Sequence, residues 1–126
     1  MNSSPAVSEG FSRDDRLRKR REFEECYASG VRVSGRHVQV FLLPTTGGSR
    51  PRLGISVPRR VGSAVDRNRV RRRLREIFRR GRGLFGGAPL SIVVNARPSA
   101  SRASFQELSE DFAETVRRAS SRLPRP

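Results

Sequence analysis

Only one arrangement hides the apolar residues of Asp66–Arg80, which reads DRNRVRRRLREIFRR. Wound as an α-helix at about 100° per residue, the segment gathers Val70, Leu74, Ile77 and Phe78 into a stripe roughly 100° wide. That stripe must face a core, and most of the remaining surface is arginine. Arg67, Arg71 and Arg75 recur at i, i+4 and i+8 along one flank, while Arg69, Arg73 and Arg80 line the other. Arg72, Arg79 and Asn68 project from the crest. Past Asp66, only Glu76 is acidic, so pairing along the helix cannot offset the repulsion. A nucleic-acid backbone can, because each phosphate neutralised releases condensed counterions. Two cationic flanks exceed what one phosphate backbone requires, and they imply a helix held between two nucleic-acid segments or two parts of one folded RNA.

The charge is local. Of the 126 residues, 27 are basic and 12 acidic, for a net charge of +15. Thirteen of the arginines lie between Arg50 and Arg82, against Asp66 and Glu76 alone. Residues 1–30, by contrast, balance six basic groups with six acidic ones. Lys19 is the only lysine, a bias that a GC-rich genome explains for the most part, although the planar guanidinium also suits phosphate and stacks on bases. The chain is long enough for one domain with a modest core. Cys26 is the sole cysteine, which excludes a disulfide framework and fits a reducing cytosol. No apolar run resembles a signal peptide or approaches the ~20 residues of a membrane span, so a cytoplasmic location is expected. A basic amphipathic helix can lie on an anionic membrane, but this one lacks tryptophan and its stripe is needed by the core.

Along the chain, residues 1–15 read as a flexible extension, with Phe11 and Leu17 as residues that could dock, 16–123 as a single domain, and 124–126 as a tail. Arg18–Ser29 has helical spacing in Phe23, Cys26 and Tyr27, and Gly30 ends it. Val31–Pro44 is strand-like, Thr45–Ser49 is a turn, and Arg52–Pro58 alternates again. The arginine helix is expected from Val65 or Asp66 to Arg80. Leu90–Ala96 (LSIVVNA) is nearly continuous in apolar residues, as for a central strand covered on both faces. Ser104–Glu107 forms a capping box ahead of the stripe Phe105, Leu108, Phe112, Val116 and Ala119. The order is helix, two or three strands, helix, strand, helix, which specifies an α+β domain.

Strand alternation suggests a second surface. Val38, Val40, Leu42, Leu53, Ile55 and Val57 form the evident core faces. Gln39, Phe41, Gly54 and Ser56 lie opposite, and the first helix adds Phe23 and Tyr27 one turn apart. Aromatic and polar groups beside arginines are what single-stranded nucleic acid uses, with bases stacked and phosphates tracked by cations. Spacing alone leaves Phe23, Tyr27 and Phe41 divided between stacking and core packing. His37 is the only histidine, no carboxylate cluster accompanies the basic region, and Cys26 lies on an apolar helix face. No protein catalytic residue and no metal site is therefore expected.

The segment Gly62-Ser63-Ala64-Val65-Asp66-Arg67-Asn68-Arg69-Val70-Arg71-Arg72-Arg73-Leu74-Arg75 resembles the Arg-Asn-Arg motif of bacterial ribonuclease P protein subunits. The strand Gly54–Val57, the aromatics Phe23 and Tyr27, Arg36, and Ile92–Pro98 (IVVNARP) extend the resemblance to residues 16–120. It implies an αβββαβα two-layer sandwich with a left-handed βαβ crossover, similar to a domain of a ribosomal protein. It also implies a protein that helps a catalytic RNA remove the 5′ leader of precursor tRNA, an endonucleolytic phosphodiester hydrolysis performed by the RNA. Magnesium would be held mainly by the RNA, with no cofactor bound by the protein directly. Arg60, Arg67, Asn68, Arg69, Arg72 and Arg73 would contact the catalytic RNA. Phe23, Tyr27, Phe41, Ser56, Arg59, Arg67, Arg71 and Arg75 would line the leader site. The protein alone would be a monomer with no membrane partner. Tyr27 stands where phenylalanine is common, Gln39 replaces a usually aliphatic residue, and Pro58 takes a position where a small polar residue is frequent. The alternatives are a ribosomal or other structural RNA-binding protein, and a DNA-binding domain that inserts the arginine helix in the major groove. Against the last, few residues besides Asn68 suit base-edge reading.

Overall fold

A computed structural model of the chain describes residues 15–47, 50–85 and 87–124. The expected N-terminal extension, Phe11 included, lies outside the described residues except for Asp15, and so does the C-terminal tail beyond Pro124. The elements run α1 (Arg20–Ser29), β1 (Val31–Ser34), β2 (Val38–Pro44), β3 (Arg52–Ser56), α2 (Ala64–Arg80), β4 (Leu90–Ala96) and α3 (Phe105–Ser120). This is the expected αβββαβα order. Short 3-10 turns occupy Arg59–Val61, Arg82–Phe85 and Pro98–Ser101.

The strands form one mixed sheet in the order β1-β2-β4-β3. Only the β3–β4 pair is parallel, and α2 connects its two strands. β4 therefore sits inside the sheet, paired with β2 on one side and β3 on the other, and six of its seven residues are buried. Its unbroken apolar run is explained by this double cover. One face carries α2 and α3. There Val38, Val40, Leu42, Leu53, Ile92 and Val94 meet Val70, Leu74, Ile77 and Phe78 from α2, and Leu108, Phe112 and Val116 from α3. The other face carries α1, whose Cys26 packs with Leu17, Phe41 and Val93, with Phe23 and Leu43 partly buried beside them. Burial pushes the Cys26 thiol up to about 11, so it stays protonated at neutral pH.

Val31–Pro44 is broken into β1 and β2 by a turn that α3 holds. One carboxylate, Asp111, accepts the backbone N–H groups of Arg36 (2.9 Å), His37 (2.7 Å) and Val38 (3.1 Å). The turn approaches so closely that a Cβ on Gly35 would stand 2.2 Å from the Thr115 hydroxyl. His37 is buried against this loop, with Nδ1 2.7 Å from Ser99 Oγ. Replacing Asp111 with alanine strands three backbone donors, and we expect a loss of about 2–4 kcal/mol in urea denaturation. Asp111→Asn, which keeps an acceptor oxygen, should lose about half as much.

Candidate nucleic-acid interface

The arginine helix begins at Ala64, slightly earlier than its apolar pattern suggests, because Ser63 caps it. Ser63 Oγ accepts from Asp66 N, and the Asp66 carboxylate accepts from Ser63 N, each at 3.2 Å. These bonds, with Arg69 nearby, hold the Asp66 carboxyl below the usual range. Gly62 allows the return of that carboxylate. Its φ is 155°, and a Cβ there would stand 2.6 Å from Asp66 Oδ2. Val70, Leu74, Ile77 and Phe78 are the buried residues of the helix, as the wheel requires.

The two flanks meet different surroundings. On one side, Arg69 donates to the Ser101 carbonyl (3.2 Å) and pairs with Asp66 (3.1 Å). Arg73 donates to the Ala103 carbonyl (3.0 Å), and the Arg80 guanidinium lies 5.2 Å from the Phe105 ring centre. These arginines fasten α2 to the loop that leads into α3. A guanidinium has five donors, so each of these bonds leaves others for a ligand. On the other side, Arg71 and Arg75 line a hollow with Phe23, Arg16 and Arg18. Burial, then the charges of Arg16 and Arg71, lower the pKa of Arg75, although a guanidinium remains charged throughout the physiological range. Asn68 and Arg72 are exposed on the crest. Arg67 donates Nε–H to the Gly62 carbonyl at 3.3 Å.

Beyond the end of α1, the sheet face is open and polar. Gln39 pairs with Ser34 and Asn95 in register, and Asn95 pairs with Ser56, so one polar row crosses all four strands. Gln39 Nε2 donates to Ser34 Oγ at 3.0 Å. Gln39, Ser56 and Asn95, with Arg60, Arg97 and Pro98, line a cleft of about 420 Å³. Tyr27 adjoins it through Asn95. The residue is 40% exposed, and its hydroxyl donates to Asn95 Oδ1 at 2.9 Å. Phe41 stands edge-on beneath it, 4.8 Å between ring centres and 82° between planes. Phe23 rests on β3 where Gly54 has no side chain, and a Cβ there would lie 2.5 Å from its ring.

The expected leader-site residues are thus distributed unevenly. Ser56 lines the cleft, Tyr27 borders it through its bond to Asn95, and Phe23, Arg71 and Arg75 line a second hollow. Phe41 is only 6% exposed, so it supports Tyr27 and offers little face of its own. Within the turn Arg59–Val61, it is Arg60, expected to touch the catalytic RNA, that lines the cleft with Ser56, whereas Arg59 is exposed without lining it. Asn95, Arg97, Arg16 and Arg18 were not anticipated. Asn95 had a signal, as the one polar side chain near the end of an apolar strand, placed by alternation on the Phe41 face.

Comparison with known proteins decides the family. The ribonuclease P family model matches residues 11–120. The chain belongs to the ribonuclease P protein family. It is 43% identical over 98 residues to the ribonuclease P protein component of Acidothermus cellulolyticus, covering 77% of this chain and 81% of the relative. It is 34% identical over 109 residues to that of Shouchella clausii, covering 86% and 88%. Among solved structures, the RNase P protein of Thermotoga maritima superposes with a TM-score of 0.72 at 34% identity, over 82% of this chain and 96% of that one. A Staphylococcus aureus RNase P protein mutant, described as defective in mRNA degradation activity, superposes at 0.80 with 26% identity, over 95% and 98%. The chain is accordingly the protein component of an endoribonuclease that acts in tRNA processing, and membership implies association with ribonuclease P RNA. No helix among the described residues is long and apolar enough to cross a membrane.

Glu76 offers a test of how α2 tolerates its charge. Hydrogen bonds from Arg79 and Arg80, both 2.6 Å, lower its carboxyl to about 2. Because the folded-state value lies below the ordinary 4.5, this stabilisation is complete above pH 4.5 and is lost as pH falls towards 2. Glu76→Gln should therefore melt below the unsubstituted protein at pH 7, with the gap narrowing steadily from pH 4.5 to 3. A gap independent of pH would mean that the pair does not govern the helix.

Proposed function

We propose that the chain binds the catalytic RNA of ribonuclease P through α2 and receives the single-stranded 5′ leader of precursor tRNA between α1 and the open sheet face. The observation that carries the second half is the exposed Tyr27 ring, fixed by Asn95 and Phe41 over an uncovered polar row with arginine on its rim. A base can stack on such a ring while its phosphate meets Arg60 or Arg97, and stacking tolerates any base. Phe23 and the guanidiniums of Arg71 and Arg75 continue the same path along β3.

The crest and outer flank supply the RNA-anchoring surface. Asn68 and Arg72 stand exposed, and Arg69 and Arg73 keep donors after binding the Ser101 and Ala103 carbonyls. Arg67 sits where α2 meets the 3-10 turn and serves both surfaces. In this reading the protein positions RNA and neutralises charge, while the RNA holds magnesium and cleaves the phosphodiester bond. The carboxylates nearest the helix, Asp66 and Glu76, are engaged by arginine and, for Asp66, by the Ser63 cap, in keeping with a structural role. A ribosomal or other structural RNA-binding role would use the same cations but has no need of the aromatic cleft.

The deciding experiment combines the protein with the ribonuclease P RNA of its own organism and a precursor tRNA at low magnesium. Cleavage should accelerate when the protein is added. No acceleration, together with equal binding to duplex DNA, would leave only a general nucleic-acid-binding role. Phe23→Ala and Tyr27→Ala should each weaken holoenzyme binding of precursor tRNA by about tenfold, the value of one lost stacking contact, and leave mature tRNA unaffected. Equal losses on both substrates would assign those rings to packing.

A further inference from the structure

The segment ahead of α1 is tied down at every residue from Asp15 to Lys19, and Arg16 and Leu17 bond directly to the edge of β3. Asp15 is 2% exposed and lies between Arg50 (3.5 Å) and Arg82 (2.5 Å). Arg16 forms a parallel bridge with Leu53, and its carbonyl accepts from Arg52 at 2.8 Å. Leu17 N donates to the Leu53 carbonyl at 2.9 Å, and its side chain is buried beside Cys26 and Phe41. The amides of Arg18 and Lys19 donate to Glu22, which also pairs with Arg52 at 2.7 Å. The result is a short strap along an edge that would otherwise be open.

The strap has a second consequence. It brings Arg16 and Arg18 into the lining of a hollow of about 200 Å³ that Phe23, Arg71 and Arg75 also line. Four arginines that share one hollow with an aromatic ring match a phosphodiester with its base. A buried carboxylate held by two arginines is costly to leave half-paired. It therefore fixes the register of the strap more firmly than Leu17 alone would. We propose that Asp15 is a positioning residue for leader binding: clamped by Arg50 and Arg82, it registers the strap so that Arg16 and Arg18 join Arg71 and Arg75 in holding a phosphate of single-stranded RNA. The proposal rests on the reading of the α1 and sheet cleft as the leader site.

The test uses holoenzyme reconstituted from the full chain and its catalytic RNA. Binding of precursor tRNA, mature tRNA and catalytic RNA is measured across a salt series. Asp15→Ala should weaken precursor tRNA about fivefold and reduce the slope of log affinity against log salt by about 1, as for the loss of one to two phosphate contacts. Affinity for mature tRNA and for the catalytic RNA should not change. Asp15→Glu should restore most of the loss. In an Arg16→Ala/Arg18→Ala background, Asp15→Ala should add nothing, because it acts through those two side chains. Additive losses, an unchanged salt slope, or equal weakening of all three RNAs would overturn the proposal and leave Asp15 with a purely stabilising role. If the unsubstituted holoenzyme itself binds precursor and mature tRNA equally, the leader reading fails; if it discriminates and Asp15→Ala does not alter that, only the positioning role fails.

Discussion

Repulsion among the guanidiniums of α2 is the constraint around which the domain is arranged. The helix must bury Val70, Leu74, Ile77 and Phe78 in the common core while keeping its arginines close together. Two carboxylates on the helix relieve part of the repulsion: Asp66 in the first turn, where it also suits the helix dipole, and Glu76, which pairs with Arg79 and Arg80 one turn on. Carbonyls relieve more of it, at Gly62, Ser101 and Ala103. These acceptors belong to the turn before the helix and to the loop after β4, so the helix's own charge ties together the segments that frame the cleft. Among the described residues the charge is least offset on the Arg71 and Arg75 side and along the exposed crest, the surface proposed for RNA.

The division of the sheet follows from the same economy. With α2 and α3 needed on one face to cover the apolar rows, only α1 remains for the other, and a helix of 10 residues cannot cover four strands. Cys26 and Leu17 seal the middle, where Phe41 and Val93 lie. The next row, Ser34, Gln39, Asn95 and Ser56, stays open, and its side chains are polar because water reaches them. An aromatic ring at the margin of such a row is held in place by hydrogen bonding and edge contact, so it keeps a free face without losing its position.

Much of this was legible in the chain. The stripe in α2, the capping box of α3 and the apolar run of β4 each specified an element within a residue or two, because every one of those patterns is local. The motif around Asn68 specified the family. Legibility failed where the determinant was a partner distant in sequence. Asp15 lies in a stretch of mixed charge that reads as loose, and nothing local says that it will meet Arg82, 67 residues away. The orientation of Arg60 rather than Arg59 towards Ser56 depends on a single 3-10 turn, whose phase no periodicity reveals. Likewise the burial of Phe41 depends on where Tyr27 lands.

The position of β4 has a consequence for the life of the chain. Strands β2 and β3 are made first, yet they do not touch as neighbours, and the strand that joins them is encoded after α2. The row from Gln39 through Asn95 to Ser56 is therefore incomplete on any nascent chain that ends before β4. During synthesis the arginine helix leaves the ribosome before the sheet beneath it is closed, so its cationic surface precedes the complete polar row. The cleft is a property of the finished polypeptide, completed only when β4 pairs with β2 on one side and β3 on the other.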